Sequence, residues 1–313
     1  MSAGLRSAFW SLYARAAGFV VQSALAMQAL QPERRIASSR GELIYYALGT
    51  GPTLLFANGL GASWRGFHNQ LVHLAGRYRC LAWDYRGLYR DEAHGAGACA
   101  LEEHAADALA ILDSEGAERA VVLGWSFGVQ VALQLFAFAP DRVAALALVS
   151  GASSAGWSRT AAAPGLRRLY PGALELLARA PRVAARLVRA GGRSPELVGW
   201  ARRLGLVGGG ADRELVAELA RELAHLDMTS VLEMLRAMGQ VDLSAMLGTV
   251  DVPTLVIGGD RDPFTSRAQL ERMATAINGS ECLVLNGASH YVLLDHAEHV
   301  NLRLDKFLAE RGY

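Results

Sequence analysis

Two rhythms of apolar residues alternate along this chain. Short apolar runs of strand length end in corners rich in Gly, Asn or Asp, and between them lie longer stretches whose apolar positions return every three or four residues. From residue 40 onward this predicts strands at Glu42–Ala47, Thr53–Ala57 and Arg79–Trp83, then a helix at Leu101–Glu115 and a strand at Ala120–Gly124. A helix at Phe127–Ala139 and a strand at Val143–Ser150 follow, and further strands recur at Val252–Ile257 and Glu281–Leu285 before a terminal helix. Gly49, Thr50, Gly51 and Pro52 join the first two runs and predict a hairpin. The alternation predicts an α/β fold, a mostly parallel sheet flanked by helices.

The rhythm breaks after Gly151. Residues 152–247 contain no strand pattern, are rich in Ala, Leu and Arg, and show helical periodicity around Ala173–Leu187, Pro195–Leu204, Arg213–Leu226 and Thr229–Met238. We therefore expect an inserted helical cap at 152–247, a core made of 40–151 and 248–313, and an N-terminal helical extension at 1–39. Trp157, Tyr170 and Trp200 are the cap residues whose size and apolarity suit a pocket lining.

The chemistry concentrates at four loops. Gly124, Trp125, Ser126, Phe127 and Gly128 spell G-x-S-x-G between a predicted strand and a predicted helix. In that context the serine sits on a sharp, strained turn, with glycines on either side where a Cβ would not fit. Its hydroxyl is then lifted clear of the sheet, at the positive end of the following helix. Asn58, Gly59, Leu60 and Gly61 follow the strand at 53–57. An oxyanion hole needs two backbone N–H donors, which we assign to Phe127 and Leu60. The strand at 252–257 ends in Gly258, Gly259, Asp260, Arg261, Asp262 and Pro263, where two aspartates compete for the role of orienting acid. Asp262 is preferred, and Asp260 is expected to brace the turn. The last strand is followed by Asn286, Gly287, Ala288, Ser289 and His290, which makes His290 the candidate base among the 8 histidines. Asn58 and Trp125 are further candidates for the pocket, although Trp125 equally suits packing beneath the elbow.

These four motifs, in this order, resemble the α/β-hydrolase family over residues 40–311. The resemblance implies a catalytic triad of Ser126, Asp262 and His290 forming an acyl-enzyme, with no metal and no organic cofactor. Carboxylic esters or lactones of small to medium apolar acids are the expected substrates. The alternatives are the same triad acting on a C–C or amide bond, in perhydrolysis or in acyl transfer, and a non-catalytic binding protein. Dehalogenation and epoxide opening are disfavoured, because those relatives carry an aspartate in place of Ser126. Two departures stand out: Asn58 replaces the usual histidine of the oxyanion segment, and Asp84, Tyr85, Arg86, Gly87 are followed by bulky Leu88, Tyr89 and Arg90.

A net charge of +1 and a charged fraction of 19% exclude an electrostatic case for nucleic acid or for a strongly acidic substrate. The three cysteines, Cys80, Cys99 and Cys282, lack metal-ligand spacing; two lie in predicted strands, so buried thiols in a reducing, cytoplasmic setting are expected. Within residues 1–31, Phe9, Trp10, Tyr13, Phe19, Val20 and Met27 can form one apolar helix face. That face would pack on the body, cover the pocket mouth or make peripheral membrane contact. It is too short for a convincing span, and Ala24-Leu25-Ala26 keeps export as the alternative to a cytoplasmic location. Oligomeric state leaves no signature.

Overall fold

The computed structural model describes residues 33–38, 41–88, 100–154 and 207–313, with the single positions 180, 183, 186, 199 and 203. Its elements run β1 (Arg34–Ser38), β2 (Gly41–Leu48), β3 (Thr53–Ala57), α1 (His68–Leu74), β4 (Arg79–Trp83), α2 (Leu101–Ser114), β5 (Ala120–Trp125) and α3 (Phe127–Phe138). After β6 (Val143–Val149) come α4 (Arg213–Glu222), α5 (Met228–Gln240), β7 (Thr254–Gly259), α6 (Arg267–Ala276), β8 (Glu281–Leu285), α7 (Val292–Asp295) and α8 (Ala297–Glu310). Among the described residues the strands form one sheet in the order β1-β2-β4-β3-β5-β6-β7-β8, antiparallel at its first two pairings and parallel throughout the rest.

Burial accounts for that order. β5, β6 and β7 are buried at every position, and β3 and β4 at all but their first residue, as strands covered on both faces must be. β2 alternates buried and half-buried residues and so belongs nearer the edge. The predicted β2–β3 hairpin is therefore corrected. β4 lies between the two strands, pairing antiparallel with β2 (Tyr45 opposite Trp83) and parallel with β3 (Leu55 opposite Leu81). A hairpin would have left the apolar β3 without its second buried flank. The expected helical extension at 1–39 is corrected at its end, because residues 34–38 form edge strand β1 against β2, where Arg35 bonds Glu42 at 2.6 Å. Residues 1–32 lie outside the described residues, as does the proposed apolar face within them.

Helices cover both faces. On one face, Ala105, Ala108, Ile111 and Leu112 of α2, Val131 and Leu135 of α3 and Leu270 of α6 join one apolar cluster with Leu55, Val122 and Leu146. On the other, Leu71 of α1, Val292 of α7 and Leu304 and Phe307 of α8 cluster with Phe56, Leu123 and Ile257. Each of the larger buried aliphatic or aromatic side chains contributes about 1.5–3 kcal/mol. No helix among the described residues is long and apolar enough to cross a membrane.

Between β6 and β7 the described chain at 207–249 is largely helical. Asp212 caps α4 by accepting from the Glu214 and Leu215 amides at 2.8 and 2.9 Å, and Asp227 caps α5 through the Ser230 amide at 3.0 Å. The predicted helices at 213–226 and 229–238 correspond to α4 and α5, whereas those at 173–187 and 195–204 lie almost wholly outside the described residues. Several contacts seat this segment, among them the Asp227 amide donating to the Leu88 carbonyl at 2.7 Å, Ser63 Oγ to Glu222 at 2.6 Å, and the Gly208 amide to Asp295 Oδ2 at 3.0 Å.

Candidate active site

Ser126 sits between the end of β5 and the start of α3 with φ 56° and ψ −113°. A non-glycine residue with positive φ costs on the order of 1–3 kcal/mol and persists only where its surroundings impose it. Here close backbone crossings do so. A Cβ on Gly124 would lie 2.3 Å from the Gly128 carbonyl oxygen, and one on Gly128 would lie 2.0 Å from that of Ala57. The Ser126 amide donates to the Val149 carbonyl at 2.9 Å, and its own carbonyl receives the Val129 amide at 3.1 Å. The corner is thus clamped between β3, β6 and the first turn of α3.

His290 follows β8 on a loop tied down from several sides. The Arg261 amide donates to the Ala288 carbonyl at 3.0 Å, the Ser289 amide to Asp295 Oδ2 at 3.0 Å, and Trp125 Nε1 to the His290 carbonyl at 3.2 Å. The imidazole meets two partners: Nε2 lies 3.0 Å from Ser126 Oγ and Nδ1 lies 2.8 Å from Asp262 Oδ2. The other oxygen of Asp262, Oδ1, accepts the Phe264 and Thr265 amides at 2.8 and 3.0 Å. That carboxylate is fully buried, and its charge is held by three donors. Asp260 accepts the Gly287 amide at 2.6 Å on the exposed side of the same loops and does not reach the imidazole.

Above Ser126 lies a cavity of about 300 Å³. Leu60, Phe127 and Phe264 border it from the core and Val231, Leu235 and Met238 from α5, with Ser126, His290 and Gln130 among its polar members. Neither the Leu60 nor the Phe127 N–H is engaged by another described residue. The Tyr291 phenol, also at the cavity, is raised above its ordinary 10.0 by burial and stays neutral.

The family model described as alpha/beta hydrolase fold matches residues 52–297. The chain belongs to that family. Among curated relatives, the polyketide synthase ThaQ of Burkholderia thailandensis is 27% identical over 273 residues, 84% of this chain but only 12% of that much longer protein. The putative carbamate hydrolase RutD of Pseudomonas syringae is 26% identical over 245 residues, 76% of this chain and 86% of the relative. Among solved structures, the esterase RhEst1 from Rhodococcus sp. superposes with a TM-score of 0.71 at 23% identity, over 89% of this chain and 99% of that one.

Within this alpha/beta hydrolase, Ser126, His290, Leu60 and Phe127 border one cavity, and Asp262 stands behind His290, bonded to its Nδ1. Other expectations are amended. Asn58 does not line the cavity: it is fully buried and its Nδ2 donates to the Trp83 carbonyl at 2.5 Å, which pins the Asn58–Gly61 corner to β4. Trp125 both borders the cavity and packs beneath the elbow, 2% exposed, against Phe67 and Tyr291 and within 3.0 Å of a Cβ placed on Gly59. Trp157 lies outside the described residues, as do Tyr170, Trp200 and Cys99. Cys282 is exposed rather than buried, since β8 is an edge strand, whereas burial pushes the Cys80 thiol up to about 12. Leu88, the first bulky departure from the family pattern, is buried and receives the Asp227 amide through its carbonyl.

Sequence reasoning missed Gln130, Phe264 and the α5 residues. One signal was available: Gln130 lies one turn beyond Ser126 and is, with Gln134, one of two polar residues in an apolar helix.

Proposed function

We propose that this alpha/beta hydrolase is a serine hydrolase that cleaves carboxylic esters or lactones of small to medium apolar acids. The observation that carries the reading is the unbroken hydrogen-bond chain Asp262–His290–Ser126 opening into an apolar cavity. His290 Nε2 takes the hydroxyl proton as Ser126 Oγ attacks the substrate carbonyl carbon, and Asp262, accepting from Nδ1–H, holds the tautomer whose Nε2 is free and stabilises the imidazolium. The Leu60 and Phe127 amides, at the cavity and free of other described partners, would donate to the developing oxyanion. Imidazolium then protonates the leaving oxygen, and water, activated by the same base, hydrolyses the acyl-enzyme. The division into core and cap belongs to this reading, with 152–247 as a cap whose α5 forms the roof of the cavity. A reducing, cytoplasmic setting suits the exposed free thiol of Cys282.

A second reading, the same triad acting on a carbamate or amide, draws on the likeness to the protein named a putative carbamate hydrolase. A fluorophosphonate probe followed by peptide mass spectrometry tests the shared nucleophile: labelling at Ser126, abolished in Ser126→Ala, is expected. A folded, unlabelled wild type overturns both readings. Labelled protein that hydrolyses p-nitrophenyl esters of short to medium acyl chains favours the first, and labelled protein active only on carbamates or amides favours the second.

A further inference from the structure

Gln130 is 3% exposed and borders the cavity, and its buried Oε1 has no hydrogen-bond partner among the described residues. Buried polar side-chain atoms are almost always paired, so an unpaired amide at the wall of an apolar cavity needs an explanation. Its position supplies one. Ser126 is the N-cap of α3 and Gln130 lies four residues on, on the same helix face, about 6 Å further along the axis. Helical side chains lean back toward the N-terminus, which on this helix is the end that carries the nucleophile. Val231, Leu235 and Met238 face the same space with apolar side chains, and the polar Ser154, Thr265 and Tyr291 also border it.

We infer that Gln130 is the specificity-determining contact of the site, and that the preferred acyl group bears a hydroxyl or keto oxygen two or three bonds from the reacting carbonyl carbon. An amide can present a donor or an acceptor, so either oxygen satisfies it. An acyl chain without that oxygen leaves the amide unpaired against hydrocarbon, and sites built around a substrate oxygen reject the analogue lacking it far more strongly than they reject a missing methylene. The inference rests on the proposed acyl transfer to Ser126 and names the substrate class for it.

The test compares ethyl 3-hydroxybutanoate with ethyl butanoate by pH-stat titration, each rate divided by its hydroxide-catalysed rate. Wild type is expected to favour the hydroxylated ester in kcat/KM by about tenfold or more, and Gln130→Met, close in length and apolar, is expected to reduce that ratio by about 10- to 100-fold. Fluorophosphonate labelling of Ser126 is read on the same samples. Labelled wild type with no preference for the hydroxylated ester overturns this inference and leaves the proposed function standing, and so does a folded Gln130→Met with an unchanged ratio. Absent labelling overturns the proposed function, and this inference with it. Should Gln130→Met fail to fold, the wild-type ratio alone still decides.

Discussion

Replacing Asp262 by Asn tests the proposed proton relay while changing one heavy atom. Asp262 Oδ1 is held by two backbone donors, the Phe264 and Thr265 amides at 2.8 and 3.0 Å. These amides can only donate, so they force the oxygen of an asparagine into the Oδ1 position. The NH2 group then occupies the place of Oδ2, 2.8 Å from His290 Nδ1. Two donors cannot share that bond. The imidazole therefore switches to the tautomer protonated on Nε2, and the nitrogen 3.0 Å from Ser126 Oγ can no longer accept a proton. In a Ser-His-Asp triad this wrong-tautomer effect lowers kcat by about 10⁴, equivalent to about 5.5 kcal/mol of barrier. Stability should suffer far less, by about 1–3 kcal/mol for the weakened bonds to a buried charge. The assay is initial-rate hydrolysis of p-nitrophenyl butanoate, with Ser126→Ala as the floor and a thermal melt as the control for folding. Asp260→Asn, which touches only the exposed Gly287 amide, is expected to change kcat by less than about threefold. A folded Asp262→Asn within about tenfold of wild type, or a large loss confined to Asp260→Asn, would refute the reasoning.

Three further outcomes follow from other contacts. Gly128→Ala sets a Cβ 2.0 Å from the Ala57 carbonyl oxygen, a clash of backbone with backbone, and is expected to cost about 3 kcal/mol or more; an unchanged melting temperature would count against the clamped elbow. Burial, aided by the Arg86 charge, lowers His104 from its ordinary 6.5 to about 3, so between those values the unfolded chain binds a proton that the folded one does not. Stability is then lost as pH falls through that window, by a few kcal/mol at most (~1.4 per pH unit), and His104→Phe, which keeps a ring tilted against Tyr85 and edge-on to Phe127, should move the acid-unfolding midpoint seen by circular dichroism to lower pH. Arg86 and Asp107 form a buried ion pair at 2.8 Å, so Asp107→Leu alone should destabilise by about 3–5 kcal/mol in urea titration, and Arg86→Met combined with Asp107→Leu should recover part of that loss.

Much of the site was legible in the linear chain because each of its parts is a local device. A serine between two glycines at a strand end, an Asn-Gly-Leu-Gly corner, and Asp and His loops after late strands are each specified by a few consecutive residues, so their order along the chain is a usable signal. The strands β3 to β8 were legible for the same reason, since short runs of β-branched and aliphatic residues announce themselves without reference to partners. Strand order was not. Whether β2 pairs with β3 or with β4 depends on which neighbour completes the burial of β3, a competition between segments that no short window contains.

What the chain determined by itself, then, is the set of reactive groups and the elements that carry them, because turn chemistry and hydrophobic periodicity act over a handful of residues. Only the tertiary structure decided that Asp262 rather than Asp260 reaches His290, that Asn58 turns toward β4 instead of the cavity, and that Gln130 is left unpaired beside the nucleophile. Each of these is a question of direction and distance between residues remote in sequence or on different sides of one element. It is answered by packing and by which buried donors and acceptors come within reach of a partner.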